Sequence, residues 1–448
     1  MLLRNRKAIL AVWAAFLIGM TPRMFAQSGV LTLDDAVSLA LAHNRSIEQA
    51  SLSAGGLVDA IHAAKTQRLP QFKLSSTTGM MLTRPTTSFE RGAFGDYPGI
   101  GPLPGNTVEI ASPRKLSAIL NGEVLLPLTP QIRIGLSIAQ LDVRGKSARE
   151  QVRLTRHEVV KQVRQAYYSI LQGQSSLHAV EQSMALLREL SSETTQYVKV
   201  GTALDGDLLS VKARLAEAEY SKVSIAGPLA TQKEQLNRLL GRPLDTEFRV
   251  ASAVEATWIP ELPEARAKAM ASRPEIEQAR LKVIDAELDR RKKKSEYIPD
   301  VALAVNYYST INVAGSVPRN VAIAGLQASW EPFDWGRKRS ELAQKEKSMR
   351  EAEVALHDVQ DKIRIEVGSA WRKMQEARVM LSASRAGQES THEAARVTGA
   401  RFRANMALVK DVLSAESDLA SANDRTQKAL ASYWSARADL EAAMGEEQ

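Results

Sequence analysis

Histidine and cysteine, which most often carry metal-binding or nucleophilic chemistry, are sparse in this chain. Its 448 residues include no cysteine and six histidines. The histidines are dispersed, with no pair at metal-ligand spacing: His43, His62, His157, His178, His357 and His392. Without cysteine the chain has no disulfide, thiolate metal site or thiol nucleophile. The sequence therefore predicts no catalytic site, no metal site and no cofactor, so an enzyme is a remote alternative.

The glycine-rich segment around Gly99, Gly101 and Gly105 lies among prolines, and not between a strand and a helix as a nucleotide-binding loop would. No phosphate-binding loop with its lysine is present, so the chain is not expected to drive transport by itself. The formal charge of +8 comes from basic residues interspersed with acidic ones. This mixture is typical of solvated helix faces and predicts no nucleic-acid partner.

Two clusters could act at a lipid surface. A basic run ends a predicted helix, and its charges either compensate the helix dipole or contact lipid phosphates. It consists of Arg290, Arg291, Lys292, Lys293 and Lys294. Trp330, Phe333 and Trp335 follow a predicted strand. They form either an interfacial aromatic girdle or a packing contact where strand and helix meet.

The N-terminus predicts an export signal over residues 1–26. Arg4, Arg6 and Lys7 precede an apolar core at 8–20, and cleavage is expected after Ala26. This core is too short to span a bilayer, which takes about 20 helical residues. No later stretch is apolar for that length, so no transmembrane helix is expected in the mature chain.

The rest of the chain is internally duplicated. Residues 33–74 align without gaps on 262–303, at an offset of 229. Residues 203–210 align on 407–414 and share Ala-Leu and Asp-x-Leu-Ser, at an offset of 204. The extra residues of the first half lie in a long loop at 83–112, rich in Pro, Gly, Ser and Thr.

Each half predicts a helix (33–67 or 263–296) and then a hairpin. Val301, Leu303 and Val305 alternate with small or polar residues, as a strand between lipid and a watery lumen requires. Return strands fit 116–126 and 321–330, but the sequence does not fix which way their side chains face. Only four strands are predicted, whereas the smallest ordinary membrane barrels need about eight. One chain therefore cannot close a barrel.

Long helical runs follow each hairpin, with apolar residues spaced by three and four. The run at 146–200 would extend about 80 Å and that at 337–404 about 100 Å, so both must pack laterally. Each run ends at a residue that tolerates the left-handed conformation, Gly201 or Asn405. Asp207 and Asp411 then lie in the first turn of the returning helix, where the helix dipole favours a carboxylate.

The predicted fold is mainly α, with a transmembrane β part, in a duplicated chain. Its segments are the signal peptide 1–26, a first repeat 27–241 (hairpin 70–126, helix pair 131–241), a linker 242–261 and a second repeat 262–448 (hairpin 299–331, helix pair 337–445).

Three stretches carry a family resemblance: Leu31-Thr32-Leu33-Asp34-Asp35-Ala36, Trp330-x-Pro332-Phe333-Asp334-x-Gly336-Arg337, and Asp411-Val412-Leu413-Ser414-Ala415. Together they resemble TolC-type outer-membrane efflux proteins over nearly all of the mature chain. The resemblance implies a homotrimer with one twelve-stranded barrel in outer-membrane lipid and an α-helical tunnel across the periplasm. It also implies two partners, a periplasmic adaptor (membrane fusion) protein and an inner-membrane transporter.

Carried over by position, the resemblance places Asp411 in a carboxylate ring at the periplasmic aperture and Asp207 in the network that closes it. Asp418 would add a weaker ring, and Ser414 occupies the second ring position of the family. Asp411 as an ordinary first-turn aspartate remains the alternative. The helix turns that would dock the adaptor are Gly201, Thr202, Asn405 and Met406.

Phe402 and Ala407 stand where relatives often have an aperture tyrosine and arginine. The resting closure is therefore expected to be weaker or built differently, with Arg401, Arg403 or Lys410. The expected function is a passive exit duct in the outer membrane, not lipid-anchored on cysteine, for a tripartite efflux pump. Two alternatives stay open: the outer-membrane component of a polypeptide (type I) secretion system, and a soluble periplasmic coiled-coil adaptor.

Overall fold

The computed structural model describes residues 30–80, 82, 86–111, 116–251, 260–311, 319–404 and 406–446. The predicted export signal, part of the linker and the turn residue Asn405 lie outside them. Within these ranges no helix has both the length and the apolar character to cross a membrane. The helices are α1 (Leu33–His43), α2 (Arg45–Thr66), α3 (Gln131–Lys199), α4 (Asp205–Leu239), α5 (Leu262–Ser272), α6 (Pro274–Lys294), α7 (Arg337–Arg403) and α8 (Val409–Ala443). The strands are β1 (Val30–Leu31), β2 (Gln71–Met80), β3 (Thr86–Phe89), β4 (Asp96–Tyr97), β5 (Gly101–Pro102), β6 (Val108–Ala111), β7 (Leu116–Pro127), β8 (Arg249–Val250), β9 (Asp300–Ile311) and β10 (Asn320–Ser329).

The chain divides into two compact units. The turn unit, which contains both helix turns, comprises Met1–Asn44, Val159–Ile259 and Met374–Ala438. The sheet unit, which contains both hairpins, comprises Arg45–Glu158, Pro260–Lys373 and Asp439–Gln448.

In the sheet unit the two predicted hairpins join into one antiparallel sheet of order β10-β9-β7-β2. Lys73 pairs with Glu123, which pairs with Asn306, so this row across three strands is polar. Side chains of directly paired residues share a face, and neighbouring rows point to opposite faces. The next row is apolar: Phe72, Val124 and Val305. The sheet thus has one polar and one apolar face.

The register also settles the facing of the return strands, which the sequence left open. On β10, Ala324 pairs with Val305 and Leu326 with Leu303, so its even-numbered residues share the apolar face. Val321 pairs with Tyr308 and Ile323 with Asn306, so both residues lie on the polar face although they are themselves apolar. These two exceptions are why periodicity alone could not assign β10.

The predicted long loop contains regular structure. Within 86–111, β3 pairs with β6 and β4 pairs with β5, both antiparallel. The rings of Phe89 and Phe94 lie 5.0 Å apart. Pairing and aromatic contact therefore organise a segment whose Pro and Gly content predicted only irregular chain.

Each predicted first helix is broken into two. The break falls at Asn44 (ψ 125°) in the first half and at Arg273 (ψ 121°) in the second. Pro274 accounts for the second break, because a proline disfavours helical geometry in the residue before it. The side chain explains the first, since the Asn44 amide donates to Leu239 O (2.9 Å) at the end of α4. Arg273 likewise donates to Ala442 O (3.2 Å) at the end of α8.

The same helix ends are held by two tightly packed glycines. Gly241 and Gly445 both have positive φ, 69° and 77°. A Cβ added at Gly241 would lie 2.3 Å from His43 O, and one at Gly445 would lie 2.6 Å from Ser272 Oγ. Both positions need glycine for backbone conformation and for space.

A third matched contact was not predicted from the sequence. In the turn unit the single proton of the buried Tyr167 hydroxyl is shared between Leu31 O (3.0 Å) and Ala251 O (2.9 Å), where β1 and β8 pair. In the sheet unit Trp371 Nε1 donates to Pro260 O (3.0 Å). Trp371 is 204 residues after Tyr167 and Pro260 is 229 after Leu31, the two offsets of the sequence repeat. Aligning Tyr167 with Trp371 could have found this pair, because both carry a donor at the ring edge.

Candidate functional site

The two helix turns have the same backbone design. At the α3–α4 turn, Gly201 has φ 74° and Thr202 N donates to Tyr197 O (2.8 Å). At the α7–α8 turn, Met406 N donates to Arg401 O (2.8 Å). Bonds that return over five residues are the Schellman ending of a helix. Thr202 and Met406 are exposed, so both turns present their tips to solvent.

The predicted aperture carboxylates both begin helices. Asp207 Oδ2 accepts from Leu204 N (3.2 Å), and Asp411 Oδ2 accepts from Leu408 N (3.0 Å). Each satisfies a backbone donor that the helix itself leaves unpaired. Asp411 is exposed and Asp207 half-buried. Both aspartates therefore act as ordinary helix-start residues. The exposed position of Asp411 is also compatible with the predicted carboxylate ring at the aperture.

Phe402, predicted at the aperture, is buried beside the turns and not exposed. Its ring lies edge-on to Tyr197, with centroids 5.7 Å apart. It packs in one apolar cluster with the buried side chains Leu190, Val211, Val409 and Val412. The ring therefore holds the two turns together through packing, which its missing hydroxyl does not affect.

The remaining predicted tip residues are exposed. Arg401, Arg403 and Lys410 are exposed, and their side chains have no ion pair among the residues that the structure describes. Ser414 and Asp418 are also exposed, one and two helical turns along α8 from Asp411. The surface around the turns therefore carries both exposed basic side chains and exposed carboxylates.

A cleft of 520 Å³ with mixed polar and apolar walls lies between the two helix pairs of the turn unit. All four helices α3, α4, α7 and α8 line it, including Ser183, His392 and Glu416. Burial raises the pKa of the Glu416 carboxyl, and the nearby His392 acts in the opposite direction. Sequence reasoning missed Glu416 because its position on the helix resembles that of many solvated glutamates.

In the sheet unit, the predicted aromatic group follows β10 directly. Trp330, Phe333 and Trp335 are 62%, 68% and 90% exposed, and the rings of Phe333 and Trp335 lie 4.8 Å apart. Trp335 has φ 56°, a conformation that bulky residues rarely adopt. The following turn is fixed by Asp334, whose carboxylate accepts from Lys338 N (3.0 Å) and Gly336 N (3.1 Å). These bonds lower the pKa of Asp334.

One residue of the basic run at 290–294 is held in ion pairs within the chain. Lys293 Nζ contacts Glu296 (2.7 Å) and Glu341 (2.5 Å), which ties the end of α6 to α7. Burial lowers the pKa of Lys293, but these two carboxylates outweigh it and raise the pKa. Arg291 and Lys294 are exposed, whereas Arg290 and Lys292 are half-buried. All but Arg290 lie in the last turn of α6, as dipole compensation predicts.

Within the described ranges, no group of three His, Asp or Glu side chains is placed to bind a metal ion.

Comparison with known proteins gives the class of this architecture. The outer-membrane channel OprN has the same fold (TM-score 0.73, 18% identity), covering 92% of this chain and 89% of its own. The Campylobacter jejuni CmeC outer membrane channel is also similar (TM-score 0.74, 14% identity), covering 92% and 85%. These likenesses place the chain in the fold class of outer-membrane channels.

Sequence comparison then gives the family. The family model "Outer membrane efflux protein" matches residues 36–242 and 265–446. The chain is 22% identical over 286 residues to the outer membrane efflux protein BepC of Brucella suis biovar 1 (strain 1330). That alignment covers 63% of this chain and 62% of BepC, less than two thirds of either. The chain belongs to the outer membrane efflux protein family, whose members are channels of the outer membrane and not enzymes. The alternative of a soluble periplasmic adaptor is therefore wrong.

Proposed function

We propose that this protein is the passive exit duct of a tripartite efflux pump and works as a homotrimer. An adaptor and an inner-membrane transporter supply the substrate and the energy, and the duct conducts small molecules outward. The observation that carries the proposal is the sheet, which has one apolar face, one polar face and two open edges.

The open edges support assembly. Among the residues that the structure describes, β2 and β10 each pair with a strand on one side only. Unpaired backbone donors and acceptors are not tolerated in lipid, so a membrane sheet must close on itself. Four strands are too few, because ordinary membrane barrels begin at about eight. Three copies would give twelve strands by pairing β10 of one chain with β2 of the next.

The two faces support conduction. Phe72 and Leu74 on the apolar face are 79% and 74% exposed, as side chains against lipid would be. The opposite face carries Lys73, Glu123 and Asn306, which would line a watery lumen. The exposed Trp330, Phe333 and Trp335 would form the aromatic girdle at one membrane boundary, with Arg291, Lys292 and Lys294 near lipid phosphates.

The exposed turns support a periplasmic aperture. Three copies of Asp411 around one axis would form a carboxylate ring that attracts cations. Asp418 would add a second ring of negative charge two helical turns further along α8. Asp207 would belong to the contacts that close the aperture. Gly201, Thr202, Asn405 and Met406 would meet the adaptor.

The mass of the detergent-solubilised complex and its conductance test the proposal together. We expect three chains per complex and step-like, ohmic currents in planar bilayers, without nucleotide. A monodisperse monomer that remains soluble without detergent would contradict the proposal.

A further inference from the structure

Two clefts of the sheet unit adjoin each other where the strands meet the helices. The first, here called the strand cleft, has a volume of 520 Å³ and lies between the start of β9, the end of β10 and the starts of α3 and α7. The second, here called the helix cleft, has a volume of 480 Å³ and lies between α3, α6 and α7. Ser137 of α3 and Lys292 of α6 line both clefts, so the clefts meet at these two side chains.

Every carboxylate that lines the two clefts has a basic partner within the chain. In the strand cleft the pairs are Arg133 with Asp300 (2.6 Å), Lys293 with Glu296 (2.7 Å) and Arg337 with Glu331 (2.6 Å). In the helix cleft they are Arg144 with Asp285 (3.4 Å) and Lys345 with Asp289 (2.7 Å). Within the described ranges, no other Asp or Glu lines either cleft. The clefts therefore contain no carboxylate that is left for a further basic side chain.

The basic side chains outnumber these carboxylates. Seven lysine and arginine side chains line the two clefts, against five carboxylates. The other lining residues are uncharged, and they include apolar ones such as Ile134, Leu141 and Trp330. Lys282 and Lys292 have no ion pair among the residues that the structure describes. Lys282 is exposed to water, whereas Lys292 is half-buried.

The junction of the clefts therefore carries two unused hydrogen-bond donors. The Lys292 amine has no acceptor in the part of the chain that the structure describes, and the Ser137 hydroxyl, also half-buried, has no partner there. A partly buried charge loses hydration, and a bound counter-charge compensates for that loss. This junction thus favours an anion.

The strand cleft opens on the polar face of the sheet. Asp300 of β9 pairs directly with Ser329 of β10, and both line the cleft. Asp300 is an even number of residues from Asn306, so the two side chains share a face, and Asn306 belongs to the polar row with Glu123. Trp330 also lines the cleft, so a lipid headgroup is the competing occupant. If the polar face lines the lumen, the cleft opens to the solutes that the duct conducts.

We propose that Lys292 and Ser137 bind the phosphate or carboxylate group of an anionic solute inside the duct. The Lys292 amine supplies a charge-assisted hydrogen bond, and the Ser137 hydroxyl donates a second. This inference rests on the proposed function, because it needs the polar face to line the lumen. It names the chemical class of solute that the duct binds. It also assigns Lys292 to the lumen, whereas the exposed Arg291 and Lys294 stay near lipid phosphates.

Small anions with a matched neutral solute test the site. Titration calorimetry of the detergent complex at low salt should show binding of glycerol phosphate and glycerate, and none of glycerol, because glycerol has no anionic group. Lys292→Gln should weaken the binding of both anions about tenfold or more. Ser137→Ala should weaken it less, since a neutral hydrogen-bond donor contributes less than a charged one.

The matched control is Lys65→Gln, which removes the same charge from an exposed lysine of the sheet unit that lines neither cleft. We expect it to bind both anions as the unmodified protein does. Both lysine variants should keep the melting temperature, because neither amine has an ion pair in the described ranges. Equal weakening in the two variants would contradict the site, and so would the absence of anion binding by the unmodified protein.

A lipid measurement separates the solute from the competing occupant. With phosphatidylglycerol added, mass spectrometry of the detergent complex should show the same lipid retention in the unmodified protein and in Lys292→Gln. A fall in retention that Lys65→Gln does not share would assign the site to a lipid phosphate and contradict the proposal.

The site and the duct fail in different ways. Step-like currents in planar bilayers without anion binding would support the duct and contradict the site. Anion binding that depends on Lys292, in a protein that conducts no current, would support the site and contradict the duct.

Discussion

Asp411 combines two roles that a suitable substitution can separate. Its carboxylate accepts from Leu408 N and also carries the exposed charge. Asp411→Asn keeps an oxygen acceptor and removes the charge. We expect the proposed trimer to persist. Its expected cation selectivity and its block by multivalent cations should both fall in planar bilayers.

A charge change elsewhere on the same chain controls for this effect. Asp361→Asn removes an exposed carboxylate of α7 that pairs with Arg364. It should leave selectivity unchanged. Asp207→Asn should alter opening more than selectivity, if it belongs to the closing contacts. Unchanged selectivity in intact Asp411→Asn trimers would leave Asp411 as a helix-start residue only.

Gly241 permits a prediction about stability. Gly241→Ala would place a methyl group 2.3 Å from His43 O at φ 69°. Strain of about 1–3 kcal/mol is expected from the backbone conformation alone. The melting temperature, followed by helical circular dichroism in detergent, should therefore fall.

The matched control is Gly55→Ala, within α2, where an added Cβ meets nothing within 4 Å. Replacing a helical glycine by alanine should stabilise by about 0.5–1 kcal/mol. A melting temperature that fell equally in both variants would contradict the assignment of strain to Gly241.

Glu416 predicts a pH dependence with a definite sign. Because burial raises its folded-state pKa, the folded protein binds the proton more tightly than the unfolded chain. Its stabilising contribution is present at acidic pH and is lost as pH rises through the folded pKa. Glu416→Gln should therefore raise the melting temperature at pH 7.5. It should also reduce the increase in melting temperature that acidification produces in the unmodified protein.

Glu393, on the neighbouring helix α7, gives the opposite control. Its hydrogen bond to Arg396 lowers its pKa, so its contribution is present above the unfolded pKa and is lost on acidification. Glu393→Gln should lower the melting temperature slightly at pH 7.5. If both variants shift the melting temperature in the same direction, burial is not the cause at Glu416.

At the scale of elements, the predicted loop at 83–112, which the structure describes over 86–111, should lie outside the cell. It lies between β2 and β7, and the outer loops of such barrels are the long ones. Ser88→Cys should react with an impermeant reagent on whole cells, because Ser88 is exposed on β3. Thr202→Cys, at the helix turn, should react only after the outer membrane is broken. The reverse pattern would invert the topology.

At the scale of the whole molecule, conduction should be passive. Liposomes containing the purified protein should release a trapped small solute at a rate proportional to its gradient. They should accumulate none against the gradient, with or without nucleotide. Accumulation of the solute against its gradient would contradict passive conduction.

The sequence alone determined the features that depend on local pattern. Alternation in Val301, Leu303 and Val305 located β9, because a strand repeats every two residues. Apolar residues at spacings of three and four located the long helices, for the same kind of reason. The turn glycine and the two helix-start aspartates followed from backbone sterics and the helix dipole.

Only the tertiary structure decided what depends on residues far apart in the chain. Asn44 breaks a helix without any proline, because its amide caps a helix end 195 residues away. Phe402 is buried and Lys293 is paired, since another helix brings Tyr197 and Glu341 against them. No local pattern contains these partners. The facing of β10 likewise came from its register, because a slip by one residue reverses every side chain.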